Sequence, residues 1–251
     1  MKVLATYSIK GGVGKTAAAA NLAWLAARDG TPTLIWDLDP QGAVTFNYRI
    51  HPRVKGGAKG IVGEKRPLED AIKGTDYRSL DLLPADLRYR HLDLLLDQVK
   101  RSTQRLDRLL SQFEDDYEWV ILDCAPSLSL TSEAVLVAAD AVLVPVVPTT
   151  LSTRTLDQLT AFVAEQVCTD VEILPFLSMV DRRKKLHREL QNELLDRDPR
   201  LLRTPIPNAS AVERMGLLRE PLVATSPHHP AAAAYQALWE EIRERLHETS
   251  R

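Results

Sequence analysis

Residues 7–30 read "YSIKGGVGKTAAAANLAWLAARDG", and this stretch decides the fold. The apolar run Val3 to Tyr7 ahead of it reads as a strand, and Thr16 to Arg28, closed by Gly30, reads as a helix. Strand, glycine loop and helix in that order are the context a phosphate-binding loop requires. The backbone N–H groups of Gly11, Gly12, Val13, Gly14, Lys15 and Thr16 can surround phosphate oxygens. Ala17 completes the stretch expected to line the nucleotide. Lys15 can reach the β and γ oxygens, and the Thr16 hydroxyl can ligate magnesium. The glycines matter because any side chain there would block close approach. A second lysine, Lys10, stands at the entrance, and the loop itself gives no reason for it.

Outward from this core, apolar β-branched runs at Thr33 to Trp36, Leu80 to Leu83, Trp119 to Leu122, Ala141 to Val147, Val171 to Leu177 and Leu201 to Ile206 are strand candidates. Helical patterns occupy His91 to Phe113, Thr131 to Ala138, Leu151 to Val167, Leu186 to Leu195 and Ala231 to His247. Strand alternating with helix predicts an α/β fold: a mostly parallel twisted sheet with helices on both faces, built as a single domain over residues 1–251. Ligands of such sheets sit beyond the carboxyl ends of the strands.

Composition narrows the class. A formal charge of -2 argues against a protein that coats nucleic acid over its whole surface, while allowing a local basic face. Two cysteines, Cys124 and Cys168, are too few for a disulfide framework or a zinc site and predict a reducing, cytoplasmic setting, both as packing residues. The segment "AVLVAADAVLVPVVP", residues 134–148, is broken by Asp140 and Pro145 and is too short to span a bilayer. No signal peptide is expected, because the run from Ala17 to Ala27 follows a glycine loop.

Two further motifs fall at strand ends. "WDLDPQG", residues 36–42, puts Asp37 and Asp39 past the second strand beside the loop, where two carboxylates suit a magnesium site and a water-orienting role. "YEWVILDCAPSLSL", residues 117–130, ends an apolar strand in Asp123, of the type that accepts a hydrogen bond from magnesium-bound water.

An ordinary phosphate loop carries glycine five residues before Gly14; here that position is Ile9, followed by Lys10. With "KGGVGKT" the chain resembles the deviant Walker A ATPases, the group of ParA-type partition proteins, MinD and the nitrogenase iron protein, whose signature is KGGxGK[ST]. The resemblance implies a P-loop NTPase fold binding ATP and Mg2+. It also implies a homodimer in which Lys10 crosses to the partner's nucleotide. Through "DxDPQ" it implies that Asp39 positions the attacking water and Asp37 supports the metal shell, making Lys10, Lys15 and Asp39 the catalytic candidates. Around "TPIPNASAVERMG" it implies Pro207 and Asn208 near the adenine, although a plain turn explains them equally. The polar Gln or Glu usual after the "ADAVLVPV" strand is replaced by Pro148 and Thr149.

Charge is uneven. Residues 49–66 carry six Lys or Arg against one acid, and residues 181–219 carry ten against six, so the remainder is net acidic. Arg182, Arg183, Lys184, Lys185 and Arg188 cluster at one helix start and could touch DNA phosphates without reading bases, as the resemblance to nucleoid-associated partition ATPases implies. A solvated helix face accounts for them equally. Many relatives carry arginines after "IP" where Asn208 to Ala211 stand, so Arg203, Arg214 and Arg219 would share the work. The implied function is slow ATP hydrolysis timing a dimer on nonspecific DNA, with a ParB-like or cargo-adaptor protein stimulating release. A membrane-cycling MinD-like role is disfavoured by an acid-rich C-terminal helix, an iron–sulfur role by cysteine position, and a hydrolysis-dead scaffold by intact Lys15, Thr16, Asp39 and Asp123.

Overall fold

The computed structural model describes residues 1–54, 56–63, 67–167 and 169–248. Lys55, Lys65 and Arg66 of the basic 49–66 stretch, with its single acid Glu64, lie outside the described residues, as does Cys168.

In chain order the elements are β1 (Lys2–Thr6), α1 (Lys15–Arg28), β2 (Thr33–Asp37), α2 (Ala43–Asn47), α3 (Gly57–Val62), β3 (Lys73–Gly74) and β4 (Leu80–Leu83). There follow α4 (Leu92–Asp97), α5 (Arg105–Leu110), β5 (Trp119–Asp123), α6 (Leu130–Ala138), β6 (Ala141–Val146), α7 (Thr150–Phe162), β7 (Glu172–Leu177) and α8 (Lys185–Arg197). Four more helices follow among the described residues: α9 (Ser210–Glu213), α10 (Met215–Leu218), α11 (Leu222–Thr225) and α12 (Pro230–Glu248).

The strands form one sheet in the order β3-β4-β2-β5-β1-β6-β7, parallel except for the two-residue edge strand β3. The central strands β2 and β5 are buried at every position, which is why their sequences are unbroken apolar runs rather than alternating ones. One face is covered by α1, α2 and the C-terminal helices, whose core includes Leu22, Leu25, Tyr235, Leu238 and Ile242. Alanines at 18, 19, 20, 23, 26 and 27 let the α1 backbone sit close to the strands, all of them buried. α12 opens with Pro230, whose missing N–H costs nothing in a first turn. It buries Tyr235, Leu238, Trp239, Ile242 and Leu246 on one stripe, with Trp239 edge-on to Trp119 at 4.8 Å. The other face carries α4 to α7, joined to the sheet by Leu92, Leu96, Leu109, Val135 and Leu156.

Two sequence expectations need correction. His91 to Phe113 is not one helix: α4 and α5 are separated by a break in which Arg101 takes a left-handed conformation. Between Leu96 and Leu106 only Val99 is apolar, so a continuous helix there would have too small an apolar face to be held by packing. Leu201 to Ile206 forms no strand beyond one isolated bridge, Leu202 to Phe176 of β7. Leu202 and Ile206 donate to β7 carbonyls, but the N–H groups of Arg203 and Thr204 between them go to the Glu241 carboxylate of α12, at 2.6 and 3.1 Å. Pro205 and Pro207 have no N–H to give.

The turn after β4 is held by Asp86. Its carboxylate accepts from Val54 N at 2.9 Å and Arg88 N at 2.9 Å, and takes the Arg88 guanidinium at 2.8 and 2.7 Å. Burial alone would raise the acid's pKa, yet Arg88 and the N–H donors outweigh it and hold the group at about 2. A depressed acid adds stability that is present above its unfolded value and lost on acidification. Melting temperature is therefore expected to fall as pH drops from about 4 towards 2. Asp86→Ala, which strands the buried Val54 N–H, is expected to cost roughly 1–3 kcal/mol and to flatten that acid limb in thermal melts.

Candidate functional site

β1 ends at Thr6 and the chain turns through Ser8 to Gly14 into α1, at the carboxyl edge of the sheet. Gly12 and Gly14 adopt positive φ, at 70° and 100°, a backbone conformation that can turn neighbouring N–H groups towards a bound anion. At Gly14 space is lacking as well, since a Cβ would lie 2.8 Å from Ser178 Oγ at the end of β7. Gly14→Ala is thus expected to weaken ADP binding at least tenfold in calorimetric titration, through backbone strain of about 1–2 kcal/mol and a displaced loop. Wild-type affinity in that variant would remove the close approach as a requirement.

Lys15 is buried and donates from Nζ to Lys10 O at 3.2 Å. Desolvation lowers its pKa, opposed by the charges of Asp123, Cys124 and Asp39. Thr16 donates from Oγ1 to Asp123 Oδ2 at 2.9 Å, and Thr6 meets the other oxygen at 3.3 Å. Asp37 and Asp123 are register partners on adjacent parallel strands and both are fully buried. Burial, with the charge of Asp37 second, pushes the Asp123 carboxyl well above the carboxylate range. Burial likewise raises Asp37 to about 6, against the opposing hydrogen bonds of Thr45.

Crowded, desolvated carboxylates beside a hydroxyl are an all-oxygen donor set that gains from a hard divalent cation, so the residues fit Mg2+. Among the described residues no group of three or more His, Cys, Asp or Glu forms a cage by itself. Thr16 could ligate Mg2+ and Asp123 could accept from a coordinated water. Asp37 is differently employed: Oδ2 takes Thr45 N at 2.8 Å and Thr45 Oγ1 at 2.7 Å, and Oδ1 takes Asp39 N at 3.2 Å. Its carboxylate folds the loop that carries Asp39 as much as it faces a metal. Thr45 is the member of this site that sequence reading missed, because nothing in the spacing of "DPQGAVT" marks a hydroxyl eight residues on as the partner of Asp37.

Asp39 is half-buried, with Oδ1 accepting from Gln41 N at 2.9 Å. Lys10 diverges from all of this. Its N–H meets Ser8 Oγ, but its ammonium leaves the phosphate loop and donates to Ser152 Oγ on α7 at 3.2 Å. Cys124 is buried behind Asp123, where burial raises its thiol pKa, as expected of a packing residue.

Pro207 and Asn208 line a recess of about 420 Å3 together with Val180, Asp181, Arg182, Arg183, Pro205 and Pro230. It opens beyond β7, two residues past the Ser178 that abuts Gly14, and its size lies within the rough 300–1,000 Å3 of small-molecule clefts. The basic cluster is therefore divided. Arg182 and Arg183 border this recess, Arg183 being closed on Asp181 at 2.9 Å, and both precede α8, which begins at Lys185. Lys185 pairs with Glu189 at 3.3 Å, while Lys184 and Arg188 are exposed. Arg203 and Arg214 are exposed; Arg219 stacks 4.4 Å over Phe46 and donates to its carbonyl.

A glycine cradle on a strand-to-helix turn, opposed by strand-end carboxylates, defines a nucleotide-binding protein of the P-loop class. A family model described as an AAA domain matches residues 1–173. The sporulation initiation inhibitor protein Soj of Bacillus subtilis is 30% identical over 248 residues, covering 96% of this chain and 98% of Soj. The structure of cobyrinic acid a,c-diamide synthase from Mycobacterium smegmatis, with bound ATP analogue and magnesium, matches with TM-score 0.80 at 26% identity, over 100% of this chain and 97% of that one. A putative plasmid partition protein from Borrelia burgdorferi B31, bound to AMPPNP, shares the fold with TM-score 0.85 at 23% identity, over 97% and 99% of the two chains. The chain belongs to the ParA-type P-loop ATPases.

Proposed function

We propose that residues 1–251 work as one ATP-dependent switch. ATP with Mg2+ binds over Gly11 to Ala17, with its base towards Pro207 and Asn208. Mg2+, when bound, supplies positive charge at the β and γ oxygens. Lys15 neutralises the same oxygens, Thr16 and Asp123 hold the metal shell, and Asp37 holds the Asp39 loop. Asp39 orients the water that attacks the terminal phosphate, giving ADP and phosphate slowly and without a covalent intermediate. Before hydrolysis, two ATP-loaded copies meet face to face, and Lys10 of each enters the other's phosphate site.

The observation that carries this reading is the divergence of the two lysines. Lys15 turns into its own loop, whereas the Lys10 ammonium lies outside it against α7. A cation so placed serves phosphates only when another copy brings them, which links self-association to nucleotide state.

The dimer, in this proposal, binds nonspecific DNA, so that the protein is cytoplasmic and nucleoid-associated and positions a plasmid, chromosome or cellular body. A ParB-like or cargo-adaptor protein stimulates hydrolysis and release. Likeness to Soj and to a putative partition protein supports this reading. No helix among the described residues is long and apolar enough to cross a membrane. Arg182, Lys184, Arg188, Arg203 and Arg214 supply the charge, while Arg183, Lys185 and Arg219 first have to leave the partners described above.

The test is retention on random-sequence DNA with ATP, with ADP and without nucleotide. ATP-dependent binding is expected. Neutralising Arg182, Arg183, Lys184 and Lys185 together is expected to weaken it on every sequence alike, lowering the salt slope by about one per lost phosphate contact. Equal retention in all three nucleotide states would remove the switch from DNA binding, and retention in none would leave a positioning ATPase whose track is something other than DNA.

A further inference from the structure

β6 runs out into Pro148 and Thr149, the exchange for which the sequence offers no reason. In the structure Thr149 caps α7: its hydroxyl accepts from Ser152 N at 3.3 Å, its carbonyl accepts from the same N–H at 3.0 Å, and the hydroxyl donates to Ser152 Oγ at 3.0 Å. Ser152 is buried, so these bonds hold its side chain in one place. Lys10 Nζ donates onto that same oxygen at 3.2 Å, filling its second lone pair. Among the described residues no carboxylate pairs with the Lys10 ammonium. A neutral hydroxyl holds an ammonium less firmly than a carboxylate does, and phosphate oxygens can outbid it.

We propose that Ser152, oriented by Thr149, is a positioning residue that stores the Lys10 cation inside its own protomer until a second ATP-loaded copy offers phosphates. The inference rests on Lys10 acting in trans. Its physical content is a threshold. Each protomer breaks one stored bond on dimerising, so the strength of that bond enters the dimer constant twice. A charge-assisted hydrogen bond changes an equilibrium by roughly tenfold or more, which makes about a hundredfold per dimer. Thr149 thereby gains a purpose: its capping hydroxyl holds Ser152 as a neutral acceptor where a carboxylate would trap the lysine.

The test uses the full chain with a non-hydrolysable ATP analogue. Ser152→Ala is expected to lower the dimer dissociation constant about a hundredfold in sedimentation, with the monomer's ADP affinity changed less than twofold. It is also expected to raise several-fold the rate at which an amine-reactive ester labels Lys10 in nucleotide-free protein, a readout that a purely structural role would leave alone. Ser152→Asp is expected to do the reverse, giving a folded, ADP-binding protein that stays monomeric with the analogue. An unchanged dimer constant in Ser152→Ala together with unchanged Lys10 labelling overturns the storage role. The two levels separate cleanly. If Lys10→Ala dimerises like the wild type, the trans role itself is lost; if Lys10→Ala is monomeric while Ser152→Ala behaves as wild type, only the storage role is.

Discussion

Lys10→Ala is expected to leave a monomer that still binds ATP. The loop's N–H groups, Lys15 and Thr16 are untouched by the change, and Lys10's own contribution to the loop is its carbonyl, which accepts from Lys15 and survives in alanine. What disappears is one trans cation per protomer, hence two per dimer. At roughly 1.5–3 kcal/mol for a hydrogen bond to a charged group, the pair amounts to about 3–6 kcal/mol, a loss of roughly two to four orders of magnitude in dimer affinity. Light scattering with a non-hydrolysable analogue reads this directly, beside a calorimetric titration of the same analogue. A dimer of wild-type strength would refute the trans role and, with it, the coupling of assembly to nucleotide.

Asp39→Ala is expected to have the opposite outward appearance: a dimer that forms and persists. Asp39 Oδ1 is committed to the Gln41 N–H, and its carboxylate hangs from a loop anchored by Asp37 and Thr45, so truncation should leave nucleotide binding near normal. Loss of a group that orients water and takes its proton costs on the order of 10²–10⁴ in rate. Single-turnover phosphate release should fall by that factor while analogue affinity changes little. If turnover stays normal, another group orients the water and Asp39 is a turn residue. Thr45→Ala gives a milder version of the same defect, because it loosens Asp37 and only through it the Asp39 loop.

The contrast between these two variants reflects how the site is built. Residues 10–16 follow one another through a turn shaped by glycines at 11, 12 and 14 into the start of α1, so their placement could be read in order along the chain. Asp123 was legible for a related reason: an unbroken apolar run ending in a carboxylate can only be a buried strand delivering its charge to the sheet edge. Where apolar periodicity failed, as between Leu96 and Leu106, the sequence overstated a helix. Where prolines and the Glu241 carboxylate removed the N–H donors, at 203–207, it overstated a strand.

By itself, then, the sequence determined the alternating α/β order, the phosphate loop, the carboxylates at the strand ends and the presence of an extra lysine. All of these depend on local backbone geometry and on burial patterns of short period. Only the tertiary structure decided where that lysine rests, against a serine 142 residues away in the chain. It also decided that Asp37 is spent on Thr45, and that Arg182 and Arg183 share a recess with Pro207 and Asn208. Such pairings depend on which strand ends the sheet order brings side by side, and hydrogen bonds between distant side chains leave no period in the sequence from which to read them.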